Sequence, residues 1–162
     1  PVETNLLNGL LNSPCMKLCH ENESTKHGSV SEYPIVATTY SVTEQWQTGG
    51  QTRACPALVE AMPSQFVEIS EELASEKGIA SGDTVRVWNN RGSVEVSAVV
   101  TKRIKPFTVH GNTQHLVGLT HHFGWSDLFG TGDVVNDLTP NVGDPNSQTP
   151  EYKAFLVNIE KA

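Results

Sequence analysis

The stretch from Phe66 to Val100 constrains the fold more than any other part of this chain. It opens with F-V-E-I, a β-branched and aromatic run that reads as a strand (Phe66 to Ile69). Ser70 follows as a helix N-cap, with Glu71 and Glu72 in the first turn to complement the helix dipole. Leu73 and Ala74 are the core-facing positions of this short helix, and Gly78 is its stop. Ser81-Gly82-Asp83 turns the chain into a second strand, T-V-R-V-W (Thr84 to Trp88). Asn89-Asn90-Arg91-Gly92 is a hairpin turn into S-V-E-V-S-A-V-V, where Val94, Val96, Ala98 and Val100 alternate along one face. Phe107 to His110 adds one more strand. Strand, short helix, hairpin and strand within ~45 residues predict a small closed or partly closed β-barrel with helices at its ends.

The flanks are less regular. Residues 1–32 lack sustained periodicity; Leu6, Leu7, Leu10 and Leu11 form at most one apolar turn between Gly9 and Pro14, so the segment reads as an extended arm. Tyr33 to Tyr40 reads as a strand, Ser41 to Arg53 as a polar segment with a Gly-Gly hinge, and Pro56 to Ala61 as a short helix. Near the end, Asn136 to Lys153 packs amides, hydroxyls and carboxylates around three prolines and a glycine. That run is neither an amphipathic helix nor a two-faced strand. It leads directly into the apolar strand Ala154 to Ile159, so it reads as a long polar loop pinned at its end, able to offer many hydrogen-bonding groups to a large polar ligand.

Charge and chemistry narrow the function classes. A formal net charge of -7 excludes an ordinary nucleic-acid binder, whose affinity rests on Lys and Arg neutralising phosphates. No apolar run approaches the ~20 residues that span a bilayer. The chain opens Pro1-Val2-Glu3, with neither initiator Met nor signal-peptide pattern, as expected of a processed chain or a piece of a longer polypeptide. Cys15, Cys19 and Cys55 are too few for a disulfide scaffold, and Cys15-x3-Cys19-His20 lacks a second pair of metal ligands, so no metal site is expected. His121 and His122 adjoin; on a strand they would face opposite ways, one buried and one exposed. Trp46, Trp88 and Trp125 read as core anchors, and Gly28-Ser29 and Gly92-Ser93 as plain turns. No nucleophile–base pair or catalytic motif is present, so no catalytic residue is assigned. Residue chemistry alone describes a binding domain.

The tail N-D-L-T-P-N-V-G-D-P-N-S-Q-T-P-E-Y-K-A-F-L-V-N-I-E resembles the carboxy-terminal end of molybdopterin-dependent oxidoreductases, most of all the catalytic subunit of formate dehydrogenases. Three further blocks agree in order: T-T-Y-S-V-T-E-Q-W-Q-T-G-G-Q-T-R (Thr38 to Arg53), the barrel segment Phe66 to Gly111, and G-L-T-H-H-F-G-W (Gly118 to Trp125). The resemblance runs from about Tyr33 to the end. It implies a mainly β fold with short helices, a double-psi β-barrel over residues 33–162, acting as the dinucleotide-binding domain of a longer subunit. It also implies a bis-molybdopterin guanine dinucleotide with molybdenum or tungsten, iron–sulfur clusters elsewhere in the enzyme, and reversible two-electron oxidation of formate to carbon dioxide. The metal's protein ligand and the groups acting on formate would lie in other domains.

By motif position, the resemblance places Thr39, Glu44, Gln45, Trp46 and Thr48 of the first block against the cofactor. His122 and Gly124 would join them from the third block, and Asn136, Thr139, Asn141, Asp144, Ser147, Tyr152 and Lys153 from the tail. Related oxidoreductases often carry T-G-R and then H-W-H-T-G in the first block; here the chain departs at Ser41, Gln45 and Gln47. The implied partners are the remaining domains of the catalytic subunit and an iron–sulfur electron-transfer subunit, in a periplasmic enzyme of anaerobic respiration, with no nucleic acid and no direct membrane span. Alternatives are the same domain of a nitrate or polysulfide reductase, or a free-standing double-psi barrel that recognises proteins.

Overall fold

The computed structural model describes residues 28–124, 132–140, 149–150 and 152–162. Most of the expected arm, with Cys15 and Cys19, lies outside these residues, as do Trp125, Asn141, Asp144 and Ser147. The described chain runs β1 (Ile35–Tyr40), α1 (Pro56–Ala61), β2 (Phe66–Ser70), α2 (Glu71–Lys77), β3 (Thr84–Trp88), β4 (Ser93–Thr101), β5 (Phe107–Val109), β6 (Asn112–Thr120) and β7 (Phe155–Lys161). Short 3-10 turns at Thr52–Ala54 and Val135–Leu138 complete it.

Hydrogen bonding orders six strands as β1-β7-β3-β4-β2-β6, and β6 pairs back on β1 to close the barrel. The pairs β1–β6 and β2–β4 are parallel while β1–β7, β3–β7, β3–β4 and β2–β6 are antiparallel. This closed, mixed barrel with few helices is the expected double-psi class. Closure removes the free edges that an open sheet would leave. β5 stands outside the ring and, among the described residues, pairs only with the start of β6.

Alternation sets which residues fill the barrel. Val94, Val96 and Ala98 of β4 are buried while Ser93, Glu95 and Ser97 face out. Ile35 and Ala37 of β1, Val85 and Val87 of β3, Val117 and Leu119 of β6, and Val157 and Ile159 of β7 complete the core. On β1 the inward series continues to Thr39, which is 4% exposed, so the core gives way to a hydroxyl at that end of the strand. α2 is capped as its sequence requires: Ser70 Oγ accepts from Leu73 N at 3.1 Å, and Gly78 ends the helix in a left-handed conformation.

Some elements differ from expectation. β1 begins at Ile35, two residues late, because Pro34 has no N–H to give the ladder. β7 runs on to Lys161. Trp46 is no core anchor: it is 62% exposed. β6 carried no clear strand signal, partly because Gly118 interrupts it. A Cβ there would lie 2.6 Å from the Tyr40 ring, which packs over this glycine and donates from its hydroxyl to Glu68 Oε2 at 2.6 Å.

Removing the Ser70 cap by Ser70→Ala is expected to cost ~1 kcal/mol, whereas Leu119→Ala, which opens a cavity in the ring, costs about 2–5 kcal/mol. Urea unfolding of both variants reads the difference; equal losses would contradict this placing of the core.

Candidate functional site

Beyond β1 the chain enters the loop 41–53, whose shape is dictated by buried polar groups. Gln45 is 5% exposed; its Oε1 accepts from the Thr52 hydroxyl at 2.8 Å and its amide donates to Leu58 O at 3.4 Å. The same Thr52 Oγ1 accepts from Trp46 N at 3.0 Å, which fixes the backbone beneath the exposed indole. Arg53 is 1% exposed, donates from Nη1 to His122 O at 3.1 Å and lies 4.9 Å over the Phe123 ring. Buried donors and acceptors are costly unless paired, so these bonds specify one loop conformation.

His122 anchors the loop. It is fully buried, and its Nε2 accepts from Val42 N at 3.0 Å. Its Nδ1 donates to the Gln47 carbonyl in a short hydrogen bond. With one nitrogen accepting and the other donating, the ring is the neutral Nδ1–H tautomer. Burial holds this imidazole below its ordinary pKa; the Gln47 bond opposes that shift, and the charges of His121 and Arg53 add to it. Gln47 sits at φ 53°, a left-handed conformation costing of order 1–2 kcal/mol for a non-glycine residue. The bond to His122 offsets that cost.

The tail is fastened to the same end by three sets of contacts. At the β3–β4 turn, Asn89 Nδ2 donates to Leu138 O at 2.8 Å and to Leu156 O at 3.1 Å, while Arg91 Nη2 donates to Leu138 O at 2.8 Å. Gln65, 3% exposed, donates to Thr120 O at 2.9 Å and accepts from Asp133 N at 2.8 Å, tying β6 to the tail. At β1, Thr39 Oγ1 donates to Tyr152 O at 3.0 Å, and Lys153 Nζ donates to Thr39 O at 2.6 Å. Gly124 allows the approach: at φ 91°, a Cβ there would sit 2.4 Å from Val134 N.

These fastenings enclose two adjoining clefts. One, of about 400 Å³, is lined by Ser41, Val42, Thr43, Gln45, Trp46, Gln47 and His121. The other, of about 220 Å³, is lined by Thr39, Gln47, Thr48, His121, Asn136, Tyr152 and Lys153. Thus Thr39, Thr48, Asn136, Tyr152 and Lys153, spread over the chain, meet at one cleft, and Gln45 and Trp46 stand at its neighbour. Glu44 is half-buried and lines neither cleft. His122, Gly124 and Thr139 are placed differently again. His122 points inward with both nitrogens engaged, Gly124 packs on the tail backbone, and Thr139 is buried with its hydroxyl donated to Asn136 O at 2.9 Å. The residue missed by sequence reasoning is His121, half-buried at the junction of both clefts. β6 ends at Thr120, so the histidines do not alternate as strand neighbours; their rings pack 4.4 Å apart.

Residues 35–156 match the family described as molydopterin dinucleotide binding domain. The chain belongs to that family. As a molydopterin dinucleotide binding domain it is 46% identical over 160 residues to the formate dehydrogenase subunit alpha of Megalodesulfovibrio gigas, covering 94% of this chain and 16% of that protein. It is 47% identical over 163 residues to the nitrate-inducible formate dehydrogenase major subunit of Escherichia coli, covering 100% of this chain and 16% of that protein. The periplasmic nitrate reductase of Desulfovibrio desulfuricans is 33% identical over 132 residues, 82% of this chain and 16% of that protein. The chain therefore spans 16% of the length of these relatives. Acetylene hydratase from Pelobacter acetylenicus shares the fold, with a TM-score of 0.64 over 82% of this chain and 19% of its own, at 14% identity.

The buried neutral His122 gives this domain a pH signature. Its folded pKa lies below the unfolded value near 6.5, so the unfolded chain binds the extra proton first. The stabilisation is complete above about pH 7 and is lost as pH falls through ~6.5 towards the folded value. Thermal unfolding of the parent chain and His122→Gln between about pH 7.5 and 5 is expected to show a shallower pH dependence in the variant. Parallel slopes would contradict the assignment.

Proposed function

We propose that this chain is the carboxy-terminal cofactor-binding domain of a formate dehydrogenase catalytic subunit. It helps hold a bis-molybdopterin guanine dinucleotide carrying molybdenum or tungsten, in a periplasmic enzyme of anaerobic respiration. The enzyme oxidises formate reversibly to carbon dioxide, releasing one proton and two electrons that pass to iron–sulfur clusters, including those of an electron-transfer subunit. The observation that carries the reading is the convergence of the first block, the third block and the tail on one pair of clefts, in a chain 46–47% identical to formate dehydrogenase subunits over nearly its whole length. The nitrate reductase reading rests on a weaker likeness, 33% over 82% of the chain.

The residues in the clefts suit such a group. Pterin and guanine edges alternate N–H donors with ring-nitrogen and carbonyl acceptors; the Asn136 amide, the Thr48 and Tyr152 hydroxyls and the His121 imidazole offer matching partners. Trp46 presents an exposed indole face against which a heteroaromatic ring can stack. Among the described residues Lys153 is the one lysine or arginine lining either cleft, and its ammonium suits the pyrophosphate. When bound, the cofactor supplies the two-electron chemistry at its metal. This chain's own residues bind and orient it and exclude water from its edges. Among the described residues no helix is long and apolar enough to cross a membrane.

Asn136→Ala and Tyr152→Phe in the full enzyme are expected to speed cofactor loss by about fivefold or more each, since each removes a hydrogen bond worth roughly 1 kcal/mol or more to a buried polar edge. The pterin-to-protein ratio after extended dialysis measures it. Parent-like retention in both variants, with the barrel folded, would count against the tail as a cofactor ligand.

A further inference from the structure

The side chain of His121 has no part in the buried network that fixes the loop, and no motif position assigned it to the cofactor. Its Nδ1 lies 3.0 Å from the Tyr40 carbonyl oxygen. A carbonyl only accepts, so Nδ1 carries the proton and, in the neutral ring, Nε2 is left as a bare acceptor. Among the described residues Nε2 has no hydrogen-bond partner. The ring is held in place: it packs 4.4 Å from His122, which is itself pinned by Val42 and Gln47. With Gln47, His121 lines both clefts, so it marks their junction.

A fixed, unpaired acceptor selects its ligand. In the neutral ring Nε2 offers only a lone pair, which an amino or ring N–H of a guanine or pterin meets by donating to it. We propose that His121 is an orienting residue for the dinucleotide, accepting an N–H from the edge of one heterocycle. That ring lies in the Trp46 cleft, and the phosphate end reaches past the junction to Lys153. This assignment rests on the cofactor-binding reading of the site and adds the direction in which the group lies across it.

The test uses the full enzyme with His121→Phe, which keeps a ring and removes the acceptor, and His121→Gln, which restores an acceptor oxygen. The dinucleotide bound per polypeptide is followed by mass spectrometry during dialysis. Release from His121→Phe is expected to be about three- to tenfold faster than from the parent, the size of one neutral hydrogen bond, with His121→Gln recovering most of the difference. In cofactor-stripped enzyme, guanosine monophosphate should bind more weakly to His121→Phe than to the parent while inorganic pyrophosphate binds equally. Parent-like release from His121→Phe, no recovery in His121→Gln, or weakened pyrophosphate binding each overturns the inference. An unmodified enzyme that carries no dinucleotide overturns the underlying reading instead, so the two failures are distinguishable.

Discussion

The geometry of the cleft depends on one buried imidazole. His122 has no solvent to share and must satisfy both nitrogens within the protein. It does so by bonding to Val42 N on one side and Gln47 O on the other, drawing both ends of a six-residue stretch onto the end of β6. Arg53 then covers the His122 carbonyl, and Gly49 is confined between that carbonyl and the Arg53 stem. The exposed indole of Trp46 and the unpaired nitrogen of His121 are consequences of this packing. Trp46 and His121 face the clefts because the groups behind them are spent on structure.

The barrel contributes a second constraint through its turns. The Asn89–Gly92 hairpin joins β3 to β4 and also supplies the donors that collect the Leu138 carbonyl, so the tail is held by the sheet's own connection. Thr39 ends the inward series of β1 with a hydroxyl in place of a methyl group, and that hydroxyl meets the Tyr152 carbonyl. Lys153 closes on the same residue. A core that turns polar at one end can pair the described tail carbonyls that reach it, those of Leu138 and Tyr152.

Much of this was legible in advance where local rules act alone. The Ser70 cap, the left-handed Gly78, the hairpin turn and the alternation of β4 each follow from a few adjacent residues, and the structure has them. The segment before β7 was legible as irregular chain, and its described residues hold only a 3-10 turn at Val135–Leu138, while Asn141, Asp144 and Ser147 fall outside the described residues. What could not be read depends on distant partners. β6 is a strand because β1 and β2 flank it, despite Gly118. Which histidine faces the cleft is decided by where β6 ends and which carbonyls lie nearby, and Trp46 faces out while its neighbour Gln45 takes the interior position, bonded to half-buried Thr52. A pair of adjacent histidines carries no mark of which one is spent on the scaffold.

We propose this chain as a surface for a guanine-containing pterin, with catalysis seated elsewhere in a longer subunit. Native mass spectrometry of the full enzyme purified from its source tests that most directly. Molybdopterin guanine dinucleotide together with molybdenum or tungsten, in a fixed ratio to the polypeptide carrying this domain, is the result predicted. A fully active enzyme free of any pterin dinucleotide would contradict it.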